Sequence, residues 1–331
     1  MAARADTATS FAVATAVQPA GDGRYDAHCD TAWSAPRGPN GGYLAAIVLR
    51  ALEAEAGDAE RRPRSLTCHY LRPPADGPVR VEVAVERAGR SVTALSARLF
   101  QEGRLCVVAL GALARDLPAA AGYGAPPPAA PPPGAVDPWP AFDGAPPIAH
   151  RIEMRPVFGG IPFSGAAEAV SGGWLRLAAP EPADAAALAF YADAWLPAPF
   201  ARLEAPVAAP TLDLTVHFRA PDAVAALPPD AAVLARFAST TAADGFFEED
   251  GRLWAPDGTL LAQSRQLALL VAAPGLGLSA RSALLALVLY ALLPILRNTT
   301  AALRTIDPTL VDAARGLGLT KRELLVNVEL P

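Results

Sequence analysis

The feature that most constrains this chain is an internal repeat. SLTCHYLRP (Ser65 to Pro73) returns 148 positions later as DLTVHFRAP (Asp213 to Pro221), with Leu, Thr, His and Pro in place. Downstream of each copy, DGTL (Asp257 to Leu260) answers EGRL (Glu102 to Leu105). Upstream of each lies an Ala- and Leu-rich stretch with helix-favouring composition, Gly38 to Ala56 in the first copy and Asp184 to Phe200 in the second. The segments Ser65 to Pro73, Val79 to Gly89 and the hairpin Val92 to Ala114 alternate apolar with polar residues and are rich in β-branched ones, as antiparallel strands are. A helix followed by an antiparallel sheet is an α+β unit. With 331 residues and 52% hydrophobic content, the chain has room for two such units with real cores. The expected organisation is one unit in residues 1–116, a second in 151–272, and a linker, 117–150, dominated by Pro and Ala. That linker reads as a spacer stiffened by polyproline II rather than packed.

A repeat separates fold from chemistry: polar residues kept in both copies serve the architecture, and those present in one copy are candidates for catalysis. His69 and His217 match each other and read as structural. Asp193 is the one carboxylate between Ala185 and Leu196, and at the constant offset it falls opposite Ala45. A helix apolar on every side is buried, which would lift such a carboxylate from about 3.9 towards the range of a useful general base. The same acid also fits an exposed stripe or a helix-end contact. Thr211 corresponds to Pro63 and Gln266 to Gly111, so Asp, Thr and Gln occur together in the second copy alone. Asp213 corresponds to Ser65 and is a second-choice acid. Trp195 shares the Asp193 segment, and Gly41 and Gly42 open the first helix, where free backbone N–H groups are available to a carbonyl oxygen or phosphate.

These residues resemble the TesB-like (type II) acyl-CoA thioesterases, which are tandem double hotdogs. The likeness spans Phe11 to Val271 and rests on Trp33 with GPNGGYLAA, the HYLRP strand, YADAWLP, TLDLTVHFRAP and DGTLLAQSRQ. It implies two helices, each wrapped by an antiparallel sheet, and places the family's acid, hydroxyl and amide on Asp193, Thr211 and Gln266. It further implies that these three activate a water that attacks the thioester directly, that the substrate is an acyl-CoA contacted by Gly41, Gly42 and Trp195, that no cofactor or metal is needed, and that the protein dimerises. The linker is longer than the family's, and PNGG replaces an FGG-type helix entry. A non-catalytic acyl-CoA-binding double hotdog is the alternative reading.

Other chemistries lack their signatures. No GxSxG elbow occurs, and the four histidines give little support to a Ser-His-Asp triad. Cys29, Cys68 and Cys106 are too scattered for a metal site and read as reduced thiols of a cytoplasmic protein. A formal charge of −5 without a basic stripe excludes an electrostatic case for nucleic acid, and Arg61, Arg62 and Arg64 read as a solvated loop. Residues 273–331 belong to a different pattern, a helical tail. Its uncharged run from Ser282 to Leu296 is shorter than a membrane span and contains Pro294, although residues 276–297 offer a means of membrane association. Asp312, Ala313, Ala314, Gly318, Val328, Leu330 and Pro331 resemble the EAA loop of ABC importer permeases of the osmoprotectant (glycine betaine) type. A fused permease fragment is the expectation there.

Overall fold

The computed structural model describes residues 9–140 and 145–271. They belong to one compact unit, Met1–Ala272; a second unit, Ala273–Pro331, lies outside the described residues, and with it the expected helical tail, the 276–297 segment and the EAA-like loop. The first half opens with α1 (Phe11–Ala14), β1 (Gln18–Gly21), β2 (Arg24–Cys29), the short pair β3 (Ser34–Ala35) and β4 (Gly38–Pro39), and α2 (Gly41–Ala56). It closes with β5 (Arg62–Tyr70), β6 (Gly77–Ala88), β7 (Val92–Gln101) and β8 (Arg104–Ala114). The second half runs β9 (Ile152–Gly159), β10 (Ala169–Leu177), α3 (Ala185–Tyr191), α4 (Pro199–Arg202), β11 (Thr211–Phe218), α5 (Pro221–Ala225), β12 (Val233–Ser239), β13 (Ala242–Ala243), β14 (Phe246–Trp254) and β15 (Leu260–Leu269).

Thirteen of these strands join in a single antiparallel sheet, ordered β1-β2-β6-β7-β8-β5-β11-β15-β14-β12-β10-β9, with β13 on β14. The repeated motif is where the halves meet. β5 and β11 pair with Thr67 opposite Thr215, their hydroxyls 2.9 Å apart, while Ser65 faces His217 and His69 faces Asp213. Residues 148 apart are thus exchanged about the Thr67–Thr215 midpoint, which is a local twofold axis. Alternation along these strands sends Leu66, Cys68, Leu214, Val216 and Phe218 inward and leaves His69 and His217 exposed on the opposite face. Both histidines therefore point away from the helices.

α2 is the centre of the core. Asn40 caps it by accepting from the Tyr43 N–H at 3.0 Å, Gly57 ends it in the left-handed conformation at φ 60°, and Ile47, Leu49, Ala51 and Leu52 are completely buried. α3 is capped by Asp184 in the same way, which sets the two helix starts 144 residues apart. The strand offset of 148 therefore does not carry through the helices, and aligning the caps puts Leu49, not Ala45, opposite Asp193. Neither is an acid, so the contrast between copies stands.

The second helix is shorter than its composition suggests. α3 ends at Tyr191, and after a turn over Ala192–Leu196 a separate single turn, α4, begins at Pro199. Pro197 lacks the N–H that a continuing helix would need, and Pro199 opens the next turn at a position where no N–H is needed, so the Ala/Leu-rich run breaks in two. Asp193 lies in that turn, its N–H reaching only back to the Phe190 carbonyl at 3.1 Å.

Two further expectations are corrected. The Pro-rich linker is packed against the second half: the Trp174 and Trp254 indoles donate to the Pro131 and Ala125 carbonyls at 2.8 and 3.2 Å, and Arg155 donates to the Val136 carbonyl at 2.7 Å. Two tryptophans whose N–H groups need acceptors supply the reason. Arg62 and Arg64 are not in a solvated loop either; they start β5 and pair with Asp116, and Arg62 also with Asp222, while Arg61 pairs with Asp58 at 3.1 Å.

Candidate active site

The turn after α3 delivers Asp193 to the N-terminus of α2. Its Oδ2 accepts from the Gly42 N–H at 2.9 Å and from Asn40 Nδ2 at 2.9 Å, and Asn40 Nδ2 also donates to the Asp193 carbonyl at 2.8 Å. A carboxylate at the positive end of a helix satisfies donors that would otherwise be orphaned. The contact requires the two glycines. A Cβ on Gly42 would lie 2.7 Å from the Phe190 carbonyl oxygen, and one on Gly41 would lie 2.9 Å from Asp193 Oδ2. The N–H groups expected to await a substrate carbonyl are therefore, at Gly42, engaged with the acid.

Thr211 reaches the same place through a β-bulge. The register of β11 on β15 shifts between Thr211 and Asp213, from Thr211 opposite Ala268 to Asp213 opposite Leu267. The extra residue turns Thr211 onto the buried face while Asp213 stays with the exposed Leu267 and His69. Gln266, opposite Leu214, also faces inward and is 7% exposed. The Thr211 hydroxyl lies 2.9 Å from Gln266 Oε1 and 3.5 Å from Asp193 Oδ1. It has one proton, which goes to the nearer oxygen. Asp193 Oδ1 is thereby left as the less satisfied oxygen of the carboxylate.

Burial raises the Asp193 carboxyl to about 6; the Gly42 and Gly41 N–H groups and Asn40 hold it from rising further. The residue as a whole is only partly buried. Beyond Gln266 is a second acid that the sequence reading missed. Glu249, 4% exposed, accepts from Gln266 Nε2 at 2.7 Å and from the Ala198 N–H at 2.5 Å, and burial pushes it up to about 7. Asn40 was missed as well, since as a helix cap its role looks complete without Asp193. The comparison of copies would have found Glu249 once register was known: it faces Gln266, and the pair at the matching place in the first half is Leu95 and Gly111.

The other expected site residues divide. Asp213 accepts from the Leu267 N–H at 3.4 Å, on the face away from Asp193, so the structure does not bring the second-choice acid to the site. Trp195 is buried against Trp139, ring centroids 5.6 Å apart. Across the twofold axis the equivalent place is closed: Pro63 is buried there, and a Cβ on Gly111 would lie 2.6 Å from Leu52 Cδ1. Among the described residues no three His, Cys, Asp or Glu side chains gather as metal ligands would.

Comparison with known proteins fits this geometry. The family model for the acyl-CoA thioesterase N-terminal domain matches residues 30–114, and that for the C-terminal domain matches residues 127–270. A candidate thioesterase II from Thermobifida fusca is 31% identical, with a TM-score of 0.68, 80% of this chain covered and 98% of that one. A protein of hot dog fold from Alicyclobacillus acidocaldarius is 26% identical, with a TM-score of 0.75, covering 81% of this chain and 100% of its own. The acyl-CoA thioesterase II TesB2 from Mycobacterium marinum shares the fold at 20% identity and a TM-score of 0.65, over 80% and 100% of the two chains. The chain belongs to the TesB-like acyl-CoA thioesterase family, a family of double-hotdog thioester hydrolases.

The C-terminal segment has separate relatives. A model for the inner membrane component of binding-protein-dependent transport systems matches residues 260–331. The carnitine transport permease OpuCB of Listeria monocytogenes is 50% identical over 58 residues, 18% of this chain and 27% of the permease. The osmoprotectant import permease OsmY of Salmonella typhimurium is 46% identical over 56 residues, 17% and 24% of the two chains. This chain thus spans about a quarter of the curated relatives it matches. Among the described residues no helix is long and apolar enough to cross a membrane.

Proposed function

We propose that this chain cleaves acyl-CoA thioesters by direct attack of water, with Asp193 as general base, Thr211 holding the water and Gln266 orienting Thr211. The observation that carries this is the state of Asp193 Oδ1: a carboxylate oxygen in a desolvated site, denied a strong donor because Thr211 gives its proton to Gln266. A water between Asp193 and Thr211 donates one hydrogen to Oδ1 and the other to the Thr211 oxygen, and its lone pair faces the thioester carbon. Asp193 takes the proton as the C–O bond forms. The tetrahedral intermediate then expels the CoA sulfur, which receives that proton, leaving free acid and thiol. A thiol of pKa near 8.5 departs readily, so no covalent intermediate is required. Base catalysis of this type is worth about 10² to 10⁴ in rate.

Both halves contribute: the second supplies Asp193, Thr211 and Gln266, and the first supplies Asn40 and Gly42, which hold the acid. Three free, buried thiols suit the reducing cytoplasm. The permease likeness lies almost wholly beyond the sheet, so we assign the reaction to residues 9–271. The test is release of CoA thiol from a panel of acyl-CoAs by the full chain beside Asp193→Asn. Turnover in the parent and its loss in the folded variant is the expected result. A parent that binds acyl-CoA and releases no thiol would make the three residues ligand contacts instead.

A further inference from the structure

We infer that Glu249 is a positioning residue that fixes the direction of the hydrogen bonds reaching Asp193. The inference rests on the catalytic reading above. The Ala198 backbone N–H can only donate, and it points at Glu249 Oε2 from 2.5 Å. Above about 7, where it is ionised, Glu249 only accepts, so its Oε1, 2.7 Å from Gln266, then meets the amide nitrogen. That turns Gln266 Oε1 towards Thr211, whose hydroxyl must then donate to it across 2.9 Å. Thr211 has no second proton for Asp193 Oδ1. Each bond is dictated by the one before it, and the direction is set at Glu249.

The twofold axis argues against a merely structural carboxyl. At the matching strand position of the first half the same sheet is completed by Leu95, 1% exposed, opposite Gly111. An apolar residue therefore satisfies the fold at this place, and a buried acid is present only in the half that carries Asp193, Thr211 and Gln266. Among the described residues no cation pairs with it: the charged groups acting on Glu249 are Asp193 and, on its own strand, Glu248, both acidic.

The test is Glu249→Gln in the full chain. The amide oxygen of the new side chain must take the fixed Ala198 N–H, which leaves its NH₂ facing Gln266. Gln266 then flips to present oxygen, its nitrogen donates to Thr211, and the Thr211 proton is released to Asp193 Oδ1. A donor gained by the ionised base stabilises that form and weakens it as a base. Expected are a KM within about twofold of the parent, a kcat lowered about 10- to 100-fold, part of what a general base contributes, and an acidic limb of kcat/KM moved to lower pH. Titratable groups that bear on that limb are Asp193 itself, Glu249 and Tyr70, and only Glu249 is altered. Glu249→Leu, borrowing the residue of the first half, is expected to fold and to lose kcat with KM retained. Parent-like kcat and an unmoved acidic limb in Glu249→Gln, or parent-like kcat in folded Glu249→Leu, would overturn the assignment while leaving the hydrolase reading intact. An inactive parent would instead sink the hydrolase reading, and this one with it.

Discussion

At the scale of the residue, Asp193 is under opposed influences: burial favours its neutral form, and donors from α2 and Asn40 favour the charged one. With the Asp193 carboxyl at about 6, Glu249 at about 7 and both ionised forms required, kcat/KM should rise with pH through these values and level off above about 7. The consequence for stability has the opposite sense. A folded-state pKa above the unfolded one means that the native protein binds this proton more tightly, so the charge destabilises the fold above about 6, and the penalty vanishes as pH falls below the unfolded value. Asp193→Asn should therefore lose about 10² to 10⁴ in kcat and yet gain stability at pH 8, by about 1–3 kcal/mol, with no gain at pH 4. Thermal melts at the two pH values decide it, and a variant melting below the parent at pH 8 would contradict the electrostatic account. Asn40 separates capping from tuning. Asn40→Ser keeps an oxygen for the Tyr43 N–H but removes the amide donor to Asp193. Its melting temperature should stay within a few degrees of the parent's, about 1 kcal/mol or less in stability, while the acidic limb of kcat/KM moves to higher pH. A limb that stays in place would mean that Asn40 does not act on the acid.

At the scale of the element, the site depends on how closely α2 meets the end of α3. Gly42→Ala places a methyl group within 3 Å of the Ala189 and Phe190 backbone, which cannot yield as a flexible side chain would. The helices must separate, at a cost of about 1–3 kcal/mol, and the Gly42 N–H leaves Asp193. Melting temperature and kcat should fall together; a loss of neither would show that the helices separate freely here. Elements were also where the sequence was most and least legible. The strands followed from alternation, and β5 to β8 lie within three residues of their expected bounds. The end of α3 did not, because Ala and Leu favour helix up to the prolines and composition cannot say how many residues before Pro197 the last helical bond forms. Thr211 was found by comparing copies although strict alternation puts it on the same face as Asp213; only pairing with β15 reveals the bulge that turns it inward. Glu249 stayed hidden for a related reason. One acid in FFEEDGRLW differs from its neighbours only by the register that sets it against Gln266.

At the scale of the whole molecule, the duplication explains why one site exists where twofold symmetry permits two. Leu52, Pro63, Leu95 and Gly111 fill or blunt the second place, and the first half keeps only the supporting role of Asn40 and Gly42. The halves are then inseparable in function, although each carries its own helix and strands. Residues 117–272 alone would expose β11 along the edge that β5 covers, leave the seven-residue α3 without α2 against it, and leave Asp193 without two of its donors. A short helix draws most of its stability from packing, and an unpaired strand edge invites aggregation. That fragment should release no CoA thiol, and residues 1–116 supplied with it during refolding should restore turnover. The control is residues 1–272, expected to keep kcat/KM within about twofold of the full chain, since the Alicyclobacillus protein is matched over its entire length by 81% of this one. Turnover by the isolated second half would show that Asp193, Thr211 and Gln266 need nothing from α2. Failure of the two halves together, with the 1–272 control active, would place the requirement in covalent continuity through the packed linker, where Trp174 and Trp254 hold it.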